Sequence, residues 1–218
     1  MLIESNASMF VRIRPLAEEG GHASRKSGEQ SLKSDLKRLK AFNESCVTVK
    51  DLKTEQDHDY KYMKHVIMPV DSQEETFMKT GLPDMLDQFL SGYNATFLAY
   101  GQTGTGKTHT MFGSRLDKVA EYHEGPFPDD WGIFPRAVMT ALKKMDEKGC
   151  KYVFSANVIE LYFGQIFDLL NQKKPINPYS GGNFDFSGVF ETEVKCSADV
   201  DRYYHIDLKR KVDKLILD

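Results

Sequence analysis

The stretch that decides the fold is Ala99-Tyr-Gly-Gln-Thr-Gly-Thr-Gly-Lys-Thr-His-Thr-Met-Phe-Gly113. Within it, Gly101 to Thr108 matches the pattern Gly-x-x-x-x-Gly-Lys-Thr, in which a glycine-rich loop cradles phosphate groups. The nearly continuous apolar run from Ala95 to Tyr100 predicts a buried strand before the loop. Residues from Lys107 onward are predicted to be helical. The stretch therefore predicts a strand, a phosphate-binding loop and a helix in succession.

Each part of this loop has a chemical role in holding a phosphate. Glycines accept positive φ angles, so the backbone N–H groups can close around the anion, and the start of the following helix adds unpaired N–H groups. We expect Lys107 to reach the β- and γ-phosphates of a nucleotide and the Thr108 hydroxyl to bind Mg²⁺. The predicted nucleotide contacts are Gly101, Gln102, Thr103, Gly104, Thr105, Gly106, Lys107 and Thr108. The alternative is a glycine-rich turn without a ligand.

Length and composition limit the remaining possibilities. A chain of 218 residues with 40% apolar and 28% charged residues is typical of one globular domain. A net charge of -3 argues against a uniformly basic nucleic-acid binder. The N-terminus has no secretory pattern, and no apolar window is long enough for a membrane span. The isolated cysteines Cys46, Cys150 and Cys196 fit neither a disulfide framework nor a metal box, and they predict a cytosolic protein.

Strands and helices alternate along the chain. The patterns predict strands at Met9–Ile13, Cys46–Val49, Tyr60–Ile67, Ala95–Tyr100 and Tyr152–Phe163, with a short apolar run at Gln165–Leu170. They predict helices from Asp71 to Leu90, interrupted at Pro83, from Lys107, from Gly132 to Lys148 and from Ser197 to Lys211. Surface loops are predicted at Gly20–Lys40, Gly113–Asp130 and Asn171–Gly188. We therefore predict an α/β fold, a layered domain like that of phosphate-loop nucleotide hydrolases, with a central, mainly parallel sheet flanked by helices.

Five segments together resemble the motor domain of kinesins, in the same order along the chain. The most specific runs from Ser91-Gly-Tyr-Asn-Ala-Thr through the phosphate loop to His-Thr-Met111. The others are Val11-Arg-Ile-Arg-Pro-Leu16, Gly132-Ile-Phe-Pro-Arg136, Val158-Ile-Glu-Leu-Tyr162 with Gln165-Ile-Phe-Asp-Leu-Leu170, and Ser187-Gly-Val-Phe-Glu-Thr-Glu-Val-Lys-Cys196. The resemblance covers essentially the whole chain, which it identifies as the N-terminal portion of one motor domain with insertions at about 20–40 and 113–130.

The resemblance implies a microtubule motor of the cytoplasm and cytoskeleton that binds ATP or ADP with Mg²⁺. It places Arg12, Arg14 and Pro15 beside the adenine and His109 near the base or ribose, with Tyr100 as a further candidate there. It also implies that Asn171–Gly188 faces the microtubule. The motor subfamily, direction of movement, cargo and oligomeric state are open at this point.

Two segments that kinesins use for hydrolysis do not occur in these residues. They are Asn-x-x-Ser-Ser-Arg-Ser-His and Asp-Leu-Ala-Gly-Ser-Glu, which orient the attacking water, sense the γ-phosphate and complete the Mg²⁺ shell. The final Lys214-Leu-Ile-Leu-Asp218 is read as ending just before the first of them, and the alternative is a strand that carries the Mg²⁺-sensing aspartate. On either reading, the catalytic set is incomplete, and we expect nucleotide binding with little turnover.

Three other classes of function stay open on the sequence alone. One is a non-motor nucleotide-binding module with a kinesin-like fold, and another is a truncated gene product without a function of its own. The third is an unrelated phosphate-loop kinase or GTPase. The Asn/Thr-Lys-x-Asp motif by which GTPases read their base is absent, which disfavours a GTPase.

Overall fold

The computed structural model describes residues 8–14, 38–61, 64–114, 122, 124–149, 153–177, 179–180, 183–184, 188–196 and 198–200. The chain divides into two compact units. The first unit comprises Met1–Leu82 and Tyr100–Lys107, and the second unit comprises Pro83–Ala99 and Thr108–Asp218. Most of the phosphate loop therefore belongs to the first unit.

Five short strands form two sheets in the first unit. They are β1 (Phe10–Arg12), β2 (Leu39–Phe42), β3 (Val47–Lys50), β4 (Asp57–Tyr60) and β5 (His65–Ile67). Strands β1 and β5 run parallel, with Val11 opposite Val66, and β2, β3 and β4 form an antiparallel sheet in that order. Val66 and Ile67 are almost completely buried, so β5 contributes apolar side chains to the interior of this unit.

The strand predictions for this unit are confirmed in part. The strands predicted at Met9–Ile13 and Cys46–Val49 are present as β1 and β3. The single strand predicted at Tyr60–Ile67 is wrong, because Tyr60 ends β4 while His65 begins β5 in the other sheet. The loop predicted at Gly20–Lys40 ends too late, since Leu39 and Lys40 belong to β2, where Leu39 pairs with Val49 of β3. Its residues 20–37 lie outside the described part of the chain.

Two helices follow, divided as the sequence predicts. Helix α1 (Gln73–Lys79) begins with a capping box in which the Ser72 hydroxyl accepts from the Glu75 N–H and the Glu75 carboxylate accepts from the Ser72 N–H. Helix α2 (Leu82–Leu90) carries Pro83 in its first turn, where a missing N–H costs nothing. Thus proline marks the start of a new helix, and α2 ends just before Ser91 as predicted.

The buried strand predicted at Ala95–Tyr100 is wrong. These residues have no strand conformation, and no other described residue pairs with them. Leu98 is 80% exposed and Tyr100 is 96% exposed. A strand is defined by hydrogen bonds to a neighbour, so an apolar run becomes a strand only where a partner lies beside it.

Besides α2 from Pro83 onward, the described residues of the second unit form two further helices and seven short strands. Helix α3 (Lys107–Met111) begins at the last residue of the first unit, and α4 spans Ile133–Glu147. The strands are β6 (Ser155–Ala156), β7 (Ile159–Tyr162), β8 (Gln165–Asp168), β9 (Lys174–Ile176), β10 (Tyr179–Ser180), β11 (Asn183–Phe184) and β12 (Thr192–Glu193). They pair antiparallel as β7-β8-β9, β6-β12 and β10-β11.

The helices predicted from Lys107 and from Gly132 are confirmed, but the strand boundaries differ. The strand predicted at Tyr152–Phe163 is broken into β6 and β7. The apolar run predicted at Gln165–Leu170 forms β8 through Asp168, after a turn at Phe163 and Gly164. Asn171–Gly188 is not wholly a loop, since it contains β9, β10 and β11. Within Ser197–Lys211 only Ala198–Val200 are described, and they are helical; Lys214–Asp218 and Cys150 lie outside the described residues.

The core of the second unit forms around Trp131. This side chain is 1% exposed and clusters with Val138, Val194 and Val200. Phe127 stacks on Trp131 at 5.7 Å between ring centroids, and Tyr122 approaches it to 5.0 Å. The later part of the predicted 113–130 surface loop therefore packs on the core through aromatic contacts. Residues 115–121 and 123 of this loop lie outside the described part of the chain.

Neither α1 to α4 nor any other helix in the described ranges has the length and apolar character needed to cross a membrane.

Candidate phosphate-binding site

The glycines of the phosphate loop have the conformation that the motif predicts. Gly104 has φ of 83° and Gly106 has φ of 100°, which side chains with a Cβ rarely adopt. A Cβ built at either position would have no heavy atom within 4 Å. These two glycines therefore face open space, and this room fits the approach of an anion to the backbone.

The first glycine has a different role, because it allows the loop to close on itself. A Cβ at Gly101 would lie 2.7 Å from the Thr105 Oγ1 atom. The same hydroxyl donates to the Gln102 carbonyl at 2.8 Å, and the Thr105 N–H donates to that carbonyl at 3.3 Å. A glycine is thus needed at position 101, because the Thr105 side chain occupies the place of a Cβ atom there.

Lys107 is bonded to the loop that it follows. Its Nζ atom donates to the Gly101 carbonyl and to the Gln102 carbonyl, each at 2.8 Å. A cation bonded to neutral carbonyls is stabilised less than a cation bonded to an anion, because hydrogen bonds between two ions are stronger than those to a neutral acceptor. The ammonium group is therefore in a position from which it could exchange carbonyl contacts for phosphate contacts.

The two arginines at the end of β1 contact different parts of the first unit. The Arg14 Nη1 atom donates to the Gly104 carbonyl at 2.8 Å, so this arginine touches the phosphate loop itself. The Arg12 Nη1 atom donates to Gln73 Oε1 at 2.9 Å in α1. Burial lowers the pKa of Arg12, and the charge of Asp71 partly opposes that effect. Pro15 lies outside the described residues.

Sequence reasoning missed the polar contacts that surround Arg12. The sequence predicts either Asp71 or Ser72 as the cap of α1, and Ser72 is the cap. The Asp71 carboxylate instead accepts the Met68 N–H at 2.7 Å and binds the Lys79 ammonium at 2.7 Å. Gln73 is 5% exposed, which is unusual for a glutamine in the first turn of a helix. No local pattern in the sequence signals that Gln73 would face Arg12 across 61 positions of the chain.

Thr108 and His109 follow on α3 in the second unit. Thr108 is partly buried, with its carbonyl accepting the Phe112 N–H at 2.8 Å, and His109 is exposed. The described residues contain no cluster of three His, Cys, Asp or Glu side chains that could hold a metal. One hydroxyl is a weak site alone, so a Mg²⁺ ion at Thr108 would need phosphate oxygens and water for the rest of its shell.

The structure thus brings some of the predicted site residues together. Arg14, Gly101, Gln102, Gly104, Thr105 and Lys107 form one hydrogen-bonded group. Arg12 is bonded to α1 instead, and Tyr100 is 96% exposed. The assignment of all these residues to a nucleotide stays a prediction.

Comparisons with known sequences identify a single family. The model of the kinesin motor domain matches residues 12–212. The chain is 32% identical over 173 residues to the kinesin-like protein KIN-5A of rice, covering 79% of this chain and 15% of that protein. It is 29% identical over 211 residues to KIF11 of Xenopus tropicalis, covering 92% of this chain and 18% of that protein. The chain therefore spans less than a fifth of these relatives.

Comparisons with solved structures confirm the predicted α/β class, although among the described strands only β1 and β5 pair in parallel. The fold is similar to that of KIF14 in a two-heads-bound state with AMP-PNP on a microtubule, with a TM-score of 0.68 at 21% identity, over 94% of this chain and 54% of that one. It is also similar to Drosophila NOD with AMPPNP, with a TM-score of 0.63 at 21% identity, over 94% of this chain and 62% of that one. A further structure of NOD contains manganese and ADP.

Proposed function

The chain belongs to the kinesin motor-domain family, and on this premise we propose that it is the nucleotide-binding part of a microtubule motor. It would form the N-terminal portion of a single motor domain, with insertions at about 20–40 and 113–130. The observation that carries the proposal is the phosphate loop, where Gly104 and Gly106 have positive φ angles beside Lys107.

The ligand we propose is ATP or ADP with Mg²⁺. Lys107 would exchange its carbonyl partners for phosphate oxygens, and the loop N–H groups from Gln102 to Gly106, apart from that of Thr105, would surround the phosphates. The Thr108 hydroxyl would bind Mg²⁺, which supplies charge neutralisation for the phosphates. His109, Arg12 and Pro15 would lie towards the base or ribose. The solved relatives with AMPPNP or with manganese and ADP support this choice of ligand.

We propose that these 218 residues bind the nucleotide without turning it over at a motor rate. Hydrolysis requires a group that orients the attacking water, in addition to groups that hold the phosphates. The family's two segments for that purpose do not occur in the sequence. The complete protein would couple hydrolysis to movement along microtubules in the cytoplasm, as part of the cytoskeleton.

Nucleotide binding is tested by titration. A fluorescent ATP analogue is titrated against the chain with Mg²⁺, and again with EDTA in its place. Saturable binding that competes with unlabelled ATP and weakens in EDTA is the expected result. Failure of ATP to compete at millimolar concentrations would overturn the proposal.

Turnover and partner binding are tested separately. We expect phosphate release by the chain to stay near the background rate when microtubules are added, and microtubule-stimulated release at a motor rate would contradict this. Co-sedimentation with microtubules tests the partner. Nucleotide binding without co-sedimentation would favour a non-motor nucleotide-binding module with a kinesin-like fold.

A further inference from the structure

The contact between Arg14 and the phosphate loop joins two distant parts of the first unit. The Arg14 Nη1 atom donates to the Gly104 carbonyl at 2.8 Å, across 90 positions of the chain. Arg14 follows β1 closely, and the strand end is fixed by its parallel ladder to β5 and by the Ile13 N–H, which donates to the Ile67 carbonyl at 3.0 Å. The guanidinium is therefore carried on a well-anchored strand end.

The peptide that Arg14 contacts is held at both of its polar groups. The carbonyl of Gly104 accepts from Arg14, and the N–H of the next residue, Thr105, donates to the Gln102 carbonyl. A trans peptide is planar with these two groups on opposite sides, so fixing both fixes its orientation. The tip of the loop therefore depends on one side chain from outside the loop.

A phosphate that binds Lys107 does not need to break the bond between Arg14 and the Gly104 carbonyl. Lys107 must leave the Gly101 and Gln102 carbonyls to bind an anion, and the loop then loses two of its internal contacts. The Arg14 guanidinium has five N–H donors, and its contact with the Gly104 carbonyl is made through Nη1. That contact can therefore persist while the ligand enters, even where another of these donors reaches a phosphate.

Resting on the proposed nucleotide function, we propose that Arg14 is a positioning residue that holds the phosphate loop in its anion-receptive shape. Arg14 would raise the affinity for the phosphates of the ligand, whether or not the ligand carries a base. This differs from the role beside the adenine that the family resemblance implies, and the two roles make opposite predictions for a ligand that has no base.

The first test requires no ligand. Amide hydrogen exchange is compared between the parent chain and Arg14→Ala, with Lys53→Ala as a control that removes one exposed cation from the same unit. Faster exchange in residues 101–107 of Arg14→Ala, with unchanged exchange in β3 and β4, is expected because local opening controls these rates. Unchanged exchange in the loop would overturn the proposal.

The second test compares ATP with inorganic tripolyphosphate, which has the phosphates without a base. Arg14→Ala should weaken both ligands by the same factor, about five-fold for one exposed charge-assisted bond. Arg14→Lys keeps the charge and a donor and should recover part of the loss, while Lys53→Ala should bind both ligands as the parent does. Weaker ATP binding with unchanged tripolyphosphate binding would assign Arg14 to the base and overturn the proposal.

The two proposals fail in different ways. If the parent chain binds neither ATP nor tripolyphosphate, the nucleotide function fails, and the exchange experiment still decides whether Arg14 orders the loop. If the parent binds both ligands but Arg14→Ala matches Lys53→Ala in amide exchange and in affinity, the nucleotide function stands and the positioning role is wrong.

Discussion

The Asp168 carboxylate accepts the backbone N–H of Phe190 at 2.7 Å, which joins the end of β8 to the segment before β12. Its other oxygen accepts the N–H groups of Leu170 and Asn171 at 3.1 and 3.2 Å. Asp168 is 1% exposed, so these donors satisfy a charge that is almost completely removed from water. One side chain thus fixes both the turn after the β7-β8 hairpin and the chain 22 positions further on.

Removing this carboxylate should destabilise the second unit strongly. Asp168→Ala leaves three backbone donors without their acceptor, and we expect the free energy of unfolding to fall by about 2–4 kcal/mol. Urea denaturation followed by circular dichroism measures the loss. The matched control is Asp51→Ala. Asp51 also accepts the backbone N–H of the residue two positions later, Lys53, but it lies in an exposed turn. Equal losses in the two variants would contradict the assigned role.

Gly132 is predicted to be required for steric reasons alone. Its φ of -76° suits any residue, but a Cβ there would lie 2.6 Å from backbone atoms of Met111 and Phe112. The Gly132 N–H also donates to the Phe112 carbonyl at 3.0 Å. Gly132→Ala should therefore cost about 1–3 kcal/mol of stability through overpacking, again measured by urea denaturation. Gly188→Ala, where a Cβ meets no heavy atom within 4 Å, should be nearly neutral.

Arg136 should not be replaceable by lysine. Its Nε donates to the Trp131 carbonyl at 2.9 Å and its Nη2 to the Pro128 carbonyl at 2.7 Å, and its guanidinium lies 5.8 Å from the Phe127 ring centroid. Lysine cannot reproduce this forked and stacked geometry. We expect Arg136→Lys to lower stability by about 2 kcal/mol.

The same substitution has a spectroscopic readout, because Trp131 is the sole tryptophan of the chain. Loosening of the segment that Arg136 holds should expose Trp131 and shift its emission to longer wavelength. The control is Lys143→Ala, which removes an exposed cation from the same helix and should leave the emission unchanged. An unshifted spectrum in Arg136→Lys would show that the arginine does not hold the tryptophan.

Local chemistry explains which parts of the fold were predictable from sequence. The division between α1 and α2 follows from signals within a few residues, namely the Ser72 and Glu75 capping box and Pro83. The turn at Phe163 and Gly164 likewise lies between two short apolar runs. In each case the residues that form the structure are neighbours in the sequence, so their pattern is sufficient.

Contacts between distant segments explain what was missed. The apolar pattern of Ala95–Tyr100 indicates a hydrophobic segment, but it does not show whether a second strand lies beside it to form the hydrogen bonds of a sheet. Similarly, the phosphate-loop glycines are evident from a motif, whereas the contact of Arg14 with Gly104 depends on where β1 ends in space. The conformation of the phosphate loop was predictable, but the side chain that holds it was not.

The Asp71–Lys79 pair should make stability depend on pH. Burial alone would raise the pKa of Asp71, but hydrogen bonds from Lys79 and the Met68 N–H, with the charges of Lys79 and Arg12, lower it overall. A carboxylate whose pKa is lower in the folded chain contributes stability that is complete above its unfolded pKa of about 3.9. That contribution is lost as the pH falls from there through the folded pKa.

Denaturation of the parent and Asp71→Asn between pH 7 and pH 3 tests this sign. The parent should be more stable at pH 7, by about 1 kcal/mol, and the difference should shrink in the acid range. Asp87→Asn is the matched control, because Asp87 pairs with Lys144 but its side chain is 51% exposed, against 7% for Asp71. A difference that stays constant from pH 7 to pH 3 would contradict the assignment.

Lys107→Ala should nearly abolish nucleotide binding. The substitution removes the one loop cation that can bind the β- and γ-phosphates, a loss of several kcal/mol where the local dielectric is low. In the ligand-free chain it removes only two bonds to carbonyls, at Gly101 and Gln102, so stability should fall much less than affinity. Titration of a fluorescent ATP analogue measures affinity, and urea denaturation shows whether the variant is folded. Lys53→Ala controls for net charge and should bind as the parent does. If Lys107→Ala is folded and binds with the parent's affinity, the phosphates are held elsewhere and the site assigned to residues 101–108 is wrong.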